Sequence, residues 1–272
     1  MGHMEAEDVM TRSAEPPDAV LRYAGHDDGL VDVHVPAGPT RPRPLVFFVH
    51  GGFWRQEYDR RHARPLANAL ADAGYVVALP EYRRVGGAGG WPTTADDVEA
   101  ALAATPDLLA GIGVPTTTTT LVGHSAGGHL VLWLANQPGR LLERVVALAP
   151  VANLRKAAEW GMGSGATVDL LGGTPEQVPE VYDAADPATR MRVRPSCDVL
   201  VVHGDADESV PVQSSRGLQA RFDWLDYREL AGADHFAVID PLSDAWPEVR
   251  RAVRGERRRP AARQAGGAVA PG

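Results

Sequence analysis

Short runs of Val, Leu, Phe and Ala recur along the chain, and longer stretches between them carry apolar residues every three or four positions. Runs that are apolar at successive positions, with no polar alternation, are expected of strands buried on both faces. They predict strands over 31–35, 45–50, 75–79, 118–123, 145–149, 199–203 and 227–230. The stretches between them predict helices over 61–73, 94–110, 126–136, 212–222 and 240–253. A parallel crossover needs a helix-length connection, so the alternation implies an α/β protein with a mostly parallel, doubly wound sheet covered by helices on both faces.

Segment 150–195 breaks this rhythm with Gly161, Gly163, Gly165, Gly172 and Gly173, one short helix near 154–160, and the large apolar residues Trp160, Met162 and Leu171. It reads as a lid-like insertion over one sheet edge. Residues 257–272 are mostly Arg, Ala, Gly and Pro without period, which predicts a disordered basic tail. Residues 1–19 read as a tag scar followed by a flexible N-terminus, leaving 20–256 as the folded domain.

At 272 residues and 44% hydrophobic the chain can bury one sizeable core. Its net charge of −8 argues against a nucleic-acid binder held by phosphate contacts. Seven Arg and two Glu lie from Glu248 onward, so the preceding body is more acidic than that total. A single cysteine, Cys197, excludes an internal disulfide, a CxxC redox pair and a Cys-based zinc cage. Apolar runs such as 45–49 and 75–79 fall far short of the ~18 residues of a membrane span, so no membrane partner is expected. The start of the chain carries acidic and Pro residues where a signal peptide would be basic and then apolar, which predicts a cytoplasmic enzyme.

The chemistry concentrates at predicted strand ends. Gly123-His124-Ser125-Ala126-Gly127 matches G-x-S-x-G directly after a strand and directly before a helix, the context in which that motif presents a nucleophilic serine on a strained turn. Ser125 is therefore the candidate nucleophile, and the alternative is a Gly-rich turn used for packing. His50-Gly51-Gly52-Phe53-Trp54 follows another strand, and glycines there leave backbone N–H groups open to an oxyanion. Gly51, Gly52 and Phe53, with the N–H of Ala126, are candidates for that hole; a Gly-Gly turn capped by His50 is the alternative.

The base must follow the nucleophile and sit on a strand-end loop. His235, in Gly232-Ala233-Asp234-His235-Phe236, meets both conditions, whereas His203 lies within a strand end and His124 and His129 flank the serine. The acid should lie between them, in His203-Gly204-Asp205-Ala206-Asp207-Glu208-Ser209-Val210-Pro211. Asp205 is placed to fold back on its own turn amides, so Asp207 is preferred, with Glu208 and Asp205 as competitors.

HGGFW, GHSAGG, HGDADESVP and GADHF together resemble the signature loops of the α/β-hydrolase superfamily in its esterase and lipase form, over residues 30–250. HGGFW followed by GHSAGGHL is similar to the kynurenine formamidase (arylformamidase) branch and to small carboxylesterases. Glu81-Tyr82-Arg83 departs from the Asp-Tyr-Arg of many esterases. The resemblance implies a Ser-His-Asp hydrolase that forms an acyl-enzyme on a small ester or amide, without metal or organic cofactor. Around such a site Phe53, Trp54, Trp91, Trp160 and Met162 are candidate apolar walls, with core packing as the alternative for each aromatic and the expectation for Trp133; 85–91 is a candidate gating rim, with an ordinary flexible connection as the alternative. A non-catalytic ligand cup on the same fold is the alternative from another class; oligomeric state is left open.

Overall fold

The computed structural model describes residues 8–135 and 142–256. Its strands are Ala19–Arg22 (β1), Leu30–His34 (β2), Arg43–Val49 (β3), Val76–Pro80 (β4), Thr116–His124 (β5), Arg144–Leu148 (β6), Asp198–Gly204 (β7) and Asp226–Leu230 (β8). They form one sheet in the order β1-β2-β4-β3-β5-β6-β7-β8. β3 through β8 pair in parallel, and β1 and β2 add an antiparallel edge. The mostly parallel sheet is the one the strand pattern predicts, and its form is that of the α/β-hydrolase fold that the motif resemblance implies.

Successive residues of a strand face opposite sides, and both sides are filled. Leu45, Phe47, Val49, Leu121, Val145, Ala147 and Val201 belong to one core with helices Thr93–Gly111, Ala126–Leu134 and Gln213–Arg221. Val46, Phe48, Val122, Val146, Leu148 and Val202 belong to the other, with Leu66, Leu70, Val249 and Val253 from helices Arg64–Asp72 and Trp246–Arg254. Burial on both faces is why the inner strands read as unbroken apolar runs.

The N-terminal boundary moves. Val9 is buried in the second core and Arg12 pairs with Asp240, so packing begins before the residue 20 read from the sequence. β1 was not legible because its four residues alternate half-buried and exposed on a sheet edge. The last helix begins at Trp246, later than expected, because the Asp240 carboxylate accepts the Leu242 amide at 2.8 Å and holds a turn across Pro241. Segment 150–195 folds as short helices Leu154–Glu159, Met162–Leu171, Pro179–Ala185 and Pro187–Arg190. Leu154, Tyr182, Ala185 and Met191 bury into the first core, anchoring the segment. Asn136, the expected end of the helix after Ser125, and the 257–272 tail lie outside the described residues.

Candidate active site

Ser125 stands between β5 and helix Ala126–Leu134 with φ 55° and ψ −115°. A β-carbon-bearing residue held there carries backbone strain of about 1–3 kcal/mol, which surrounding contacts must sustain. Those contacts require glycine neighbours. A Cβ at Gly127 would lie 2.0 Å from the Val49 carbonyl oxygen, so only glycine lets the helix start dock on the end of β3. Leu148 and Val151 complete the hold: the Ser125 amide donates to the Leu148 carbonyl at 2.9 Å, and the Val151 amide donates to the Ser125 carbonyl.

The turn after β3 lies directly against this elbow. A Cβ at Gly51 would sit 3.1 Å from Ser125 Cβ. Gly52, Phe53 and Trp54 all have positive φ, so three consecutive peptides curl around the space beside the serine. Beneath the turn lies a buried charge cluster that the sequence reading touched only as a motif departure. Glu81 contacts the His50 ring at 2.8 Å, accepts the Arg60 amide at 3.1 Å, and pairs with Arg84. Burial alone would raise the Glu81 pKa, but His50, Arg84 and the Arg60 amide outweigh it and hold the carboxyl far below its usual range. The Tyr82 hydroxyl donates to the His50 carbonyl at 2.9 Å, and its ring stacks on His50 at 4.4 Å. The Gly-Gly turn is thus fixed by a charged and aromatic base.

The loops after β7 and β8 meet on the other side. His235 Nδ1 lies 2.7 Å from Asp207 Oδ2. The second carboxylate oxygen accepts the amides of Ser209 and Val210 at 2.9 and 2.7 Å. Burial would raise the Asp207 pKa, and the His203 and His235 N–H donors reverse that and hold it far below the carboxylate range. The local turn role expected of Asp205 therefore falls to Asp207. Asp205 reaches across and accepts the Gly232 amide at 2.6 Å, tying the two loops together. Gly204 permits that approach, since a Cβ there would lie 2.0 Å from the Ala233 carbonyl oxygen.

His124 joins this pair to the elbow. Its Nε2 lies 2.9 Å from the His235 carbonyl, and its ring is 4.6 Å from the His235 ring. Because a carbonyl only accepts, Nε2 carries the proton. Burial, reinforced by His235, pushes the His124 pKa well below its usual value, so the ring is neutral. The structure thus brings Ser125, the turn at 51–53, Asp207 and His235 to one end of the parallel strands.

The expected aromatic wall is only partly assembled. Trp54 is fully buried, edge-on to His129 at 5.3 Å, because its positive φ turns the indole into the first core; it lines no open pocket. Trp91 packs edge-on to Trp133 at 5.3 Å, and Trp133 donates to the Ala184 carbonyl as a core residue would. Trp160 is exposed and borders a cavity of about 300 Å³ with Asn153, Lys156, Gln213 and Arg221, a lining that does not include Ser125. Met162 is buried. The Phe53 ring packs against the 150–195 segment, 2.6 Å from where a Gly163 Cβ would be. The 85–91 rim is pinned by Val85 to the Trp54 carbonyl and by the Trp91 amide to the Leu170 carbonyl, both at 2.8 Å. Cys197 is half-buried before β7, and burial pushes its thiol pKa up.

Among the described residues no group of three or more His, Cys, Asp or Glu side chains is arranged to hold a metal ion. No described helix is long and apolar enough to cross a membrane.

A family model named BD-FAE matches residues 31–222, which include β3, the elbow and Asp207. The chain belongs to the BD-FAE family. It is 28% identical to esterase LipC of Mycobacterium tuberculosis over 74% of this chain and 55% of that protein, so it spans about half of that relative's length. It is 26% identical to kynurenine formamidase of Drosophila melanogaster over 86% of this chain and 79% of that protein. Among solved structures, a truncated carbohydrate esterase from gut microbiota superposes with TM-score 0.77 at 18% identity, over 89% of this chain and 99% of that one. Esterase B of Lactobacillus rhamnosis superposes with TM-score 0.74 at 19% identity, over 93% and 88%. These two support the fold.

Proposed function

We propose that this BD-FAE family member is a serine hydrolase of small carboxylic esters. The observation that carries the reading is the shared site: a strained serine between a strand and a helix, beside a glycine turn and a buried His235–Asp207 pair. In the proposed reaction Ser125 Oγ attacks the ester carbonyl while His235 Nε2 takes its proton. The Asp207 carboxylate keeps Nδ1 protonated and supports the imidazolium. The N–H groups of the 51–53 turn and of Ala126 receive the oxyanion, aided by the positive end of the helix. Collapse breaks the ester C–O bond, His235 returns the proton to the leaving alkoxide, and water then repeats the sequence on the acyl-enzyme.

Turnover of p-nitrophenyl acetate with Ser125→Ala as control tests it. Loss of about a thousandfold or more is expected, as for removal of a nucleophile from such a triad; retained turnover would sink the assignment. Failure of a fluorophosphonate to label Ser125 would favour a ligand-binding protein on the same fold. A second reading, hydrolysis of an N-formyl aromatic amide, draws on the Drosophila relative, whose match covers most of both chains. Formate released from N-formylkynurenine, compared with ester turnover at equal concentration, separates the two. The 150–195 segment is proposed as the lid over this site.

A further inference from the structure

Asp207 does not serve His235 alone. His203 Nε2 lies 3.0 Å from the same Oδ2 atom that faces His235 Nδ1 at 2.7 Å. That nitrogen also faces the Val210 carbonyl at 3.0 Å, so both of its neighbours are acceptors and it must carry the proton. The opposite ring nitrogen, Nδ1, is 2.7 Å from Ser215 Oγ, whose hydroxyl donates to it and fixes the tautomer. Both His203 and Ser215 are fully buried, so water cannot substitute for either partner.

We infer that His203 is a positioning residue of the proposed Ser125 reaction: its N–H competes with His235 for one carboxylate oxygen and so limits how strongly Asp207 stabilises the His235 imidazolium. The inference rests on the triad reading above. A carboxylate oxygen that accepts two N–H donors leaves less negative charge to each. Removing the His203 donor concentrates that charge on His235 Nδ1–H, favours the imidazolium, and moves the acid limb of the kcat/KM profile to higher pH.

The other groups around the pair are accounted for. The Ser209 and Val210 amides hold the far oxygen, and the Ser215 hydroxyl holds the far side of His203. His124 meets His235 from the elbow and is kept neutral by burial and by His235. Asp234, beside His235, is taken up by the Phe236 and Ala237 amides, and Asp205 by Gly232. Glu229, in register with His203 on β8, is bound to Arg216 and Tyr227.

The test is the pH dependence of kcat/KM for p-nitrophenyl acetate in the full chain with His203→Leu, His203→Gln and Ser215→Ala. His203→Leu should raise the acid midpoint by about one pH unit, a tenfold change in proton affinity. His203→Gln, which can present an amide N–H to Oδ2, should return it most of the way. Ser215→Ala, which deletes the hydroxyl that donates to Nδ1 and so leaves Nε2–H a weaker donor, should shift it in the same direction by less, and it decides the question if the His203 variants do not fold. A parallel readout is the downfield proton resonance of His235 Nδ1–H, expected to move further downfield in His203→Leu. A wild-type midpoint in His203→Leu, or in Ser215→Ala where only that variant folds, overturns the inference, as does a His203→Gln profile equal to that of His203→Leu. Ser125→Ala separates the two layers: turnover retained there refutes the triad, whereas turnover lost there with unshifted His203 profiles leaves the triad standing and removes His203 from it.

Discussion

His129 gives the fold a measurable acid sensitivity. It is fully buried on helix Ala126–Leu134, with Nε2 donating to the Ala185 carbonyl at 3.1 Å and its ring edge-on to Trp54. Nδ1 is buried without a hydrogen-bond partner, so a proton added there would be an isolated charge. Burial lowers its pKa from 6.5 to about 4, with the Ala185 hydrogen bond opposing. The unfolded chain therefore binds the extra proton at a higher pH than the folded one. Stability tied to the neutral ring is complete above the unfolded value near 6.5 and is lost as pH falls toward 4.

Between pH 7 and pH 5 this amounts to about 2 kcal/mol, from ~1.36 kcal/mol per pKa unit. His129→Gln keeps an N–H for Ala185 and removes the titration. Urea unfolding at pH 7, 6 and 5 should show the wild-type protein losing about 2 kcal/mol more than the variant over that interval. The packing cost of the substitution is the same at each pH and cancels in the difference. Parallel stability curves for the two proteins would refute the reasoning. His62, which burial and then His50 likewise lower to about 4, steepens the acid loss of both proteins equally.

Asp186 should show the opposite sign. Burial raises its carboxyl to about 6 against the opposing amides of Ala188, Leu154 and Arg155, so its contribution is present at low pH and lost as pH rises through 6. Asp186→Asn should therefore gain about 2 kcal/mol relative to wild type between pH 4 and 7 in the same urea assay; a constant offset would contradict it. Glu81→Gln leaves Arg84, Arg60 and His50 facing a neutral amide in a buried site, and should cost about 3–5 kcal/mol by urea unfolding at pH 7. A cost below about 1 kcal/mol would mean the cluster does not hold the 51–53 turn. Gly204→Ala forces a methyl toward the Ala233 oxygen and should lower the melting temperature by about 3–10 °C, from an overpacking cost of about 1–3 kcal/mol. An unchanged melting curve with unchanged ester turnover would show that the two loops have slack.

Much of the candidate site's turn geometry is legible in the sequence, and for a local reason. Strained turns, short strand-to-helix connections and glycine contacts are met by neighbouring residues, so GHSAGG and HGGFW carry their geometry within a few positions. Aromatic roles were less legible. Whether a tryptophan lines a cleft or fills a core depends on which way its backbone turns and on what packs against it. Trp54 and Trp160 each lie within two residues of a glycine, yet one is fully buried and the other 41% exposed. The short edge strand β1 was missed because four residues with one apolar face resemble a loop.

By itself, the sequence determined the doubly wound sheet, because strands buried on both faces cannot be polar at alternate positions. It also determined the order along the chain of the loops proposed to carry nucleophile, acid and base. Only the tertiary structure decided which carboxylate meets which imidazole. Asp205 and Asp207 are chemically equal and two residues apart, and the choice between them depends on loops from β7 and β8 closing against each other at Gly204. Contacts made across the sheet likewise placed His235 on the Asp207 oxygen that faces His203, and Glu81 under the glycine turn. Such long-range contacts leave no periodic trace along the chain, since residues so far apart in sequence come together only when the sheet forms.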